Sequence, residues 1–534
     1  MDCDNITRSS NNKEKKEIFL YNKKIKNNTN YNIWLTFPQI YSFGMSSLGF
    51  VSIFQSIDEA FDDVYVQRVF TDSKTTSKNI NEVDLIAFSV SFELDFLCIF
   101  KIMEKYKIPF KASERDESFP LIFAGGPVIT ANPCAFEKFF DFMLLGDGED
   151  MNVKIVEFLK ENKDLNKEET LKKLATFEGV YVPNVSKKVN KVTSKLDKCV
   201  YSAILSEGSF FANTFIVELI RGCGNRCGFC LASYLNLPVR YIDYNQIVET
   251  IDLGLKYTNK IAFLGALIAA HPKFDEICDY IYQKSNEIEN LELSVSSLRL
   301  DSLNPKIVQT LVQLGQKHVT VAIEAGSNRL RRVINKNLNE DEILNGVKIA
   351  IENGLKGMKF YTMIGLPTET WDDIYELVNL AKKIKNLDKT FDVTFSFSTF
   401  VPKAHTPFQF CKREDTKSLE KKYEYIKREF HKLGVKARCS SVKWDDVQTL
   451  ISKADNSFDD YFIQVYNKGG NLGAFKSCFK ECLEEKIGKS FNDYITSNPN
   501  YDDILPWDFV KINHLIKDEK MFLVKECKRL LSIT

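Results

Sequence analysis

The chain has 534 residues, with 72 basic side chains against 72 acidic ones, 44% apolar residues and 27% charged ones. That length accommodates more than one packed core and excludes a small disulfide-stapled scaffold, while the balanced charge excludes a protein built to coat a polyanion. No run approaches the roughly 18 apolar residues of a membrane span, and the Asn/Lys-rich start carries no apolar leader, so the protein is expected in the cytoplasm and away from membranes.

Residues 1–28 are polar and too poor in apolar side chains to offset ordering entropy, which predicts a disordered tail. Residues 29–160 alternate apolar runs (Ile33 to Phe37, Val64 to Phe70, Leu85 to Val90, Leu121 to Ala124, Phe142 to Leu145) with helix-like segments such as Ser46 to Ile57 and Asp95 to Lys105. The alternation predicts a parallel sheet wrapped by helices. Residues 161–208 are charged and irregular and read as a linker, with a short pair of strands at Gly179 to Pro183. In 209–440 six strand-like runs recur, at Phe215 to Ile220, Lys260 to Leu264, Leu291 to Val295, Val319 to Ile323, Gly357 to Ile364 and Val393 to Phe400. They predict a partial or full β/α (TIM-like) barrel with its chemistry at the carboxyl ends of the strands. Residues 441–534 read as a helical C-terminal region.

Thirteen cysteines, an odd number, argue for thiols and metal ligands rather than a disulfide framework. Three of them, Cys223, Cys227 and Cys230, fall within the single segment Arg221-Gly-Cys-Gly-Asn-Arg-Cys-Gly-Phe-Cys230 at the predicted end of the barrel's first strand. The glycines permit the positive φ angles that a tight wrap of three thiolates needs. Zinc wants a fourth ligand, and the next histidine is the distant His271. A four-iron cluster held by three cysteines leaves one iron open to a small molecule. Three buried structural thiols, or a zinc completed from elsewhere, are the plainer alternatives.

The Cys-x3-Cys-x2-Cys spacing, with Phe229 before the last cysteine, resembles the signature of radical S-adenosylmethionine enzymes. The resemblance implies a 4Fe-4S cluster on Cys223, Cys227 and Cys230, S-adenosylmethionine chelated by the open iron and cleaved reductively, and an electron donor of flavodoxin or ferredoxin type. It extends to Ser296-Ser297-Leu298-Arg299, to Glu324-Ala325-Gly326-Ser327 and to Gly365-Leu366-Pro367-Thr368-Glu369-Thr370, each following a predicted strand. By similarity Ser297, Arg299 and Glu324 face the ribose and methionine end, backbone near Gly265, Ile364 and Gly365 holds the amino group and adenine, and Phe229 packs beside the adenine. Taken singly, these residues are ordinary helix caps and turns.

The first domain, with Ala124-Gly125-Gly126-Pro127 and Leu145-Gly146-Asp147-Gly148-Glu149 after its last two predicted strands, resembles the flavodoxin-like cobalamin-binding domain that precedes some of these cores. Tyr41, Ser89, Ser91, Gly125 and Gly126 are its candidate groove residues. The Asp-x-His-x-x-Gly that supplies an axial imidazole in such domains is replaced by Gln39-Ile40-Tyr41-Ser42-Phe43-Gly44, and all five histidines (His271, His318, His405, His431, His514) lie outside the domain. Cobalamin would therefore bind without a protein imidazole, or the fold has lost it. A dinucleotide reading lacks its Gly-x-Gly-x-x-Gly after the first strand, and a P-loop is absent.

The domain pairing points to methyl transfer or another radical modification of an unidentified substrate. A non-catalytic iron-sulfur sensor, and a methylthiotransferase-like modifier of RNA or protein, are the alternatives. The last of these calls for a second cysteine trio, for which Cys98, Cys134 and Cys199 are candidates, although buried thiols are the simpler reading. Cys478 and Cys482, four apart, read as packing on one helical face. Lys412 to Arg438, with ten basic and five acidic residues, reads as a solvated helix before an RNA-binding face. Charge does not indicate nucleic acid, and small molecules, peptides and structured RNA stay open as substrates.

Overall fold

The computed structural model describes residues 16–26, 29–513 and 516–533. Within the stretch expected as a disordered tail, Glu17–Phe19 forms strand β1, paired antiparallel with Ile204–Ser206, and Leu20 behind it is buried. This corrects the expectation for those residues: Leu20 and the Glu17–Arg68 ion pair at 2.7 Å supply the anchorage that composition hides. Residues 1–15 and 27–28 lie outside the described residues.

The first sheet contains β2 (Tyr31–Thr36), β3 (Val64–Val69), β4 (Leu85–Ser89), β5 (Leu121–Gly125), β6 (Phe142–Leu144) and β7 (Val180–Tyr181), in the order β3-β2-β4-β5-β6-β7. The five strands β2 to β6 run parallel, and β7 is antiparallel to β6. That parallel part has the flavodoxin-like order, whose ligand crevice lies where the winding reverses, between the carboxyl ends of β2 and β4. The strands read as nearly unbroken apolar runs because both faces are covered. Helices Leu48–Ala60 and Glu149–Glu161 cover one face. The other packs on Leu97–Lys105 and, from the far end of the chain, on helices between Val442 and Thr496.

The expected linker is structured over much of its length. It supplies β7 to the first sheet, the helix Lys167–Leu174, β8 (Val189–Asn190) and β9 (Ile204–Ser206), the partner of β1. Apart from the buried Lys191, its charged side chains lie on the outside of these short elements, which hides the elements from a composition argument.

All six strands predicted for the core are present, as β10 (Phe215–Arg221), β12 (Lys260–Gly265), β13 (Glu292–Val295), β14 (His318–Glu324), β15 (Gly357–Ile364) and β16 (Asp392–Thr399). A short β11 (Arg240–Tyr241) flanks β10, and β17 (Lys436–Cys439) follows β16. They form two four-stranded sheets, β11-β10-β12-β13 and β14-β15-β16-β17, joined by a parallel bridge between Leu298 and Val321. The barrel is partial. A single apolar core runs under all of these strands, from Phe215 to Val442. The C-terminal region ends in β18 (Val510–Lys511), which pairs with β8, and in helix Glu519–Leu531, which packs beside the loop after β10. No helix of the described residues is long and apolar enough to cross a membrane.

Candidate active site

The three cysteines follow β10 directly. Gly222 turns the chain with φ +89°, and a Cβ there would stand 2.4 Å from the Asn236 carbonyl oxygen, so only glycine fits. The loop is then fastened from three sides. Gly228 N–H donates to the Ile334 carbonyl, and the Phe408 N–H donates to the Gly228 carbonyl, both at 3.0 Å. The Tyr234 hydroxyl donates to the Arg226 carbonyl at 3.0 Å, and Asn335 Nδ2 donates to the carbonyls of Asn225 and Arg226 at 2.9 and 3.1 Å. Cys223 and Cys227 are buried and Cys230 is half-buried.

Burial pushes the Cys227 thiol up to about 12; Lys336 opposes that shift, and Cys230 and Cys223 are near enough to add to it. The three sulfurs thus share one electrostatic neighbourhood. Among the described residues no three His, Cys, Asp or Glu side chains approach closely enough to hold a single metal ion. The Cys227 thiol, held protonated by burial, would ionise beside the positive charge of a bound metal cluster.

The turn Asn335-Lys336-Asn337, after helix Asn328–Val333, joins this loop to the other strand ends. Cys227 Sγ lies 3.6 Å from the Asn335 carbonyl oxygen. The Arg299 guanidinium, ion-paired with Asp301 at 2.7 Å, donates to the carbonyls of Lys336 and Asn337 at 3.4 and 3.1 Å. Lys336 Nζ pairs with Glu324 at 3.2 Å, both side chains being largely buried. Glu324 ends β14 at a register shift, with φ 64°, and such strained backbone at a strand end is typical of binding sites. Asn335 and Asn337 also take positive φ, which asparagine tolerates better than most residues. Sequence reading missed this turn; its two asparagines were the available signal.

The other expected positions stand on the same face. Gly265 ends β12, with no room for a Cβ beside Ile220 and Ile268; Ser297, half-buried, follows β13. Ile364 ends β15, and its carbonyl accepts from Phe400 N–H at 2.9 Å. Gly365 (φ +76°) donates its N–H to Glu369 Oε1 at 2.9 Å. Burial lifts the Glu369 carboxyl to about 7 against the opposing pull of Lys422, which pairs with it at 2.8 Å. Phe229 packs against the cluster of Tyr234, Phe408, Trp507 and Leu530, that is, toward the C-terminal helix.

A cavity of about 450 Å³ opens at the reversal point of the first sheet. Ser89, Ser91, Gly125 and Gly126 line it, together with Ser47, Gly49, the Gly146-Asp147-Gly148-Glu149 turn and Lys191. From the barrel come Glu218, Arg221 and Leu264, so the cavity lies between the two domains. Tyr41 is not part of it: its buried hydroxyl bonds Glu17 and Ser206 at 2.5 and 2.8 Å, on the β1 side of the domain, which corrects its expected place in the groove. No described histidine lines the cavity, and His514 lies outside the described residues. Arg221, the residue before the cysteine loop, ion-pairs Asp147 at 3.1 Å and both Glu149 and Glu218 at 2.7 Å, and Arg240 takes the second Asp147 oxygen at 2.5 Å. This network ties the cavity's rim to the cysteine loop.

Comparison with known proteins bears on both regions. The family model described as the radical SAM superfamily matches residues 217–381, and the one described as the N-terminal region of radical SAM proteins matches residues 53–183. An uncharacterized protein of Methanocaldococcus jannaschii is 28% identical over 471 residues, covering 86% of this chain and 97% of that one. A tRNA-2-methylthio-N(6)-dimethylallyladenosine synthase of Bdellovibrio bacteriovorus is 24% identical over 295 residues, covering 52% of this chain and 61% of its own length. Among solved structures, the radical S-adenosylmethionine methyltransferase TsrM from Kitasatospora setae, with cobalamin and a 4Fe-4S cluster bound, has a TM-score of 0.52 at 12% identity, covering 71% of this chain and 77% of that one. The likeness to TsrM is one of fold.

Proposed function

Because the chain belongs to the radical S-adenosylmethionine superfamily, we propose that it is an enzyme in which Cys223, Cys227 and Cys230 hold a 4Fe-4S cluster with one iron open to S-adenosylmethionine, and that it transfers a methyl group to an unactivated carbon of its substrate with a corrinoid held in the interdomain cavity. When bound, the cluster supplies the electron that cleaves the sulfonium and the corrinoid supplies a methyl carrier. The observation that carries this reading is the meeting of the cysteine loop, Arg299 and Glu324 at the single turn Asn335–Asn337, on the carboxyl-end face where such barrels do their chemistry.

The chain's own residues have definite parts in this arrangement. Phe408 and Leu530 stand against Gly228, each within 3.0 Å of where a Cβ would be, and keep water from the inner side of the loop. Lys336 and Arg299 place two cations beside the sulfurs, offsetting the negative charge that thiolates bring. Ser297, Glu324 and the backbone ends of β12 and β15 are the polar groups positioned to orient the cosubstrate, with Gly265 keeping its strand end free of side chain. A fit to the corrinoid rests on the wall of the cavity. Gly49 presents bare backbone there, with open space where a Cβ would project, and Glu149 Oε2 is buried without a partner while its other oxygen is taken by Arg221. No histidine of the described residues lines the cavity, so the residues that would hold a corrinoid there include no imidazole among them.

The methylthiotransferase-like alternative lacks its second cysteine trio among the described residues. Cys98 is buried on helix Leu97–Lys105, Cys134 lies half-buried in a different turn, and Cys199 sits against the Glu218 carbonyl. To test the proposal, the full chain is reconstituted with iron and sulfide under anaerobic conditions. It is expected to carry about four irons, and to yield 5′-deoxyadenosine when reduced with flavodoxin or dithionite in the presence of S-adenosylmethionine. A bound cluster with no such product would support the sensor reading. Replacing all three cysteines with alanine should abolish the brown chromophore, and a retained chromophore would move the site elsewhere.

A further inference from the structure

The sheet β14-β15-β16-β17 differs sharply between its two faces. On one, Val319 and Val321 of β14, Met358 and Phe360 of β15, and Val393, Phe395 and Phe397 of β16 share a core with the surrounding helices. The helices of such a barrel form its outer ring, so the alternate residues project inward. In register across the sheet these are Thr320, Lys359, Thr394 and Lys436, then Ala322, Tyr361, Ser396 and Arg438. Nearer the carboxyl ends, Met363 stands beside Ser398. Barrel interiors are ordinarily filled by branched apolar side chains. Here Tyr361 is 42% exposed, and Ser398 and Arg438 are exposed too, so the inner face stands open.

The charge on that face is one-sided. Lys436 is matched by Asp392 at 2.9 Å, near the amino ends of the strands, where His318 lies 3.8 Å from the same carboxylate. Glu324, at the carboxyl end of β14, is matched by Lys336. Among the described residues neither Lys359 nor Arg438 has a carboxylate partner, and the Lys359 ammonium instead stands 4.8 Å from the centre of the Tyr361 ring. The strands that carry the two cations are two spacings apart, about 10 Å, a gap that long side chains close around one group. Thr394 and Ser396, on β16, lie between them.

On the reading of the chain as a radical enzyme, whose substrate lies within reach of the carboxyl-end face, we propose that this inner face holds the substrate and that the substrate is a phosphate monoester. Lys359 and Arg438 receive its phosphate, the hydroxyls of Thr394 and Ser396 donate to its oxygens, and its apolar or planar part lies against Tyr361. Two cations suit a monoester, which bears close to two negative charges at neutral pH, better than a carboxylate or a nucleic-acid phosphodiester, each of which bears one. The planar guanidinium of Arg438 adds the paired donors that phosphate oxygens accept.

The test is calorimetric titration of the reconstituted full chain, at low ionic strength, with phenyl phosphate, with its singly charged methyl diester and with benzoate. The wild type is expected to prefer phenyl phosphate to either singly charged ligand by about tenfold or more. Lys359→Met and Arg438→Met are each expected to bind it about ten- to a hundredfold more weakly, the range of a lost charge-assisted hydrogen bond, and Lys359→Arg to restore most of the affinity. That restoration, with an unchanged unfolding midpoint in K359M, separates the charge from a disturbed fold. Equal affinity for the three ligands, affinity indifferent to both cations, or no binding of phenyl phosphate overturns the assignment. Formation of 5′-deoxyadenosine judges the underlying reading separately. A chain that forms it but fails the titration loses the phosphate site alone, and a chain that passes the titration without forming it loses the claim that the bound anion is a radical substrate.

Discussion

Asn335 carries more of the site than its side chain suggests. Its amide bridges two carbonyls of the cysteine loop while its own backbone occupies the left-handed region at φ 57°. Replacement by alanine removes two hydrogen bonds and places a Cβ residue without local side-chain support in that conformation, for an expected loss of about 1–3 kcal/mol. Urea denaturation should show that loss, and iron content after reconstitution should fall with it. An N335A protein with unchanged midpoint and full iron would show that the loop is held without this residue.

His405 offers a second check at this scale. It is buried with φ 59°, its Nε2 lacks a partner, and burial lowers its imidazole to about 3. The unfolded imidazole takes its proton near 6.5, so between these values the unfolded state binds more protons, and stability falls as pH decreases, by at most about 1.4 kcal/mol per unit. The drop in denaturation midpoint from pH 7 to pH 5 should be smaller in His405→Gln than in the wild type. Equal drops in the two proteins would locate the acid sensitivity in other groups.

At the scale of elements, the loop after β15 is fixed by a buried ion group. Lys422, on helix Thr416–Leu433, reaches Glu369 at 2.8 Å and Glu414 at 2.7 Å, with Lys422 and Glu369 almost wholly inaccessible. Lys422→Met would strand two carboxylates, and the expected cost is about 3–5 kcal/mol, read as a lowered unfolding midpoint at neutral pH. An unaltered midpoint would mean that Glu369 protonates at no cost to the fold. The same helix explains why the basic stretch Lys412 to Arg438 is mostly structural: Leu419, Ile426 and Phe430 enter the barrel core, while Lys417, Lys421 and Lys432 face solvent.

The elements themselves were legible wherever the determinants were local. Each of the six core strands and the cysteine loop that follows β10 could be read from hydrophobic period and glycine spacing, and Ser89, Ser91, Gly125 and Gly126 converge because they lie at or just beyond the carboxyl ends of β4 and β5. What was hidden depends on pairings between distant segments. Nothing in the polar start of the chain signals that Glu17–Phe19 will find Ile204–Ser206, or that this contact will draw Tyr41 away from the groove. Lys191 sits in a segment whose charge reads as linker, and its burial follows from β8 pairing with β18 more than three hundred residues later. The turn Asn335–Asn337 escaped because no hydrophobic pattern marks it.

For the whole molecule, the arrangement places two sites back to back. The cavity at the reversal of the first sheet is closed by the barrel's Glu218 and Arg221, and Arg221 is continuous with the loop that carries the cysteines. The C-terminal region holds the assembly from both sides. Its middle helices complete the core of the first domain, and its last helix sets Leu530 against Gly228, near the buried Cys411 and Cys527 whose sulfurs are 3.9 Å apart. The measurement that probes this account most directly is electron paramagnetic resonance of the reduced, reconstituted full chain with and without S-adenosylmethionine. A site-differentiated cluster predicts a reduced 4Fe-4S signal whose g values shift when the cosubstrate is added, and which is missing from the triple cysteine variant. A signal indifferent to S-adenosylmethionine would mean that every iron already has a ligand, and would contradict the open corner on which the proposed chemistry depends.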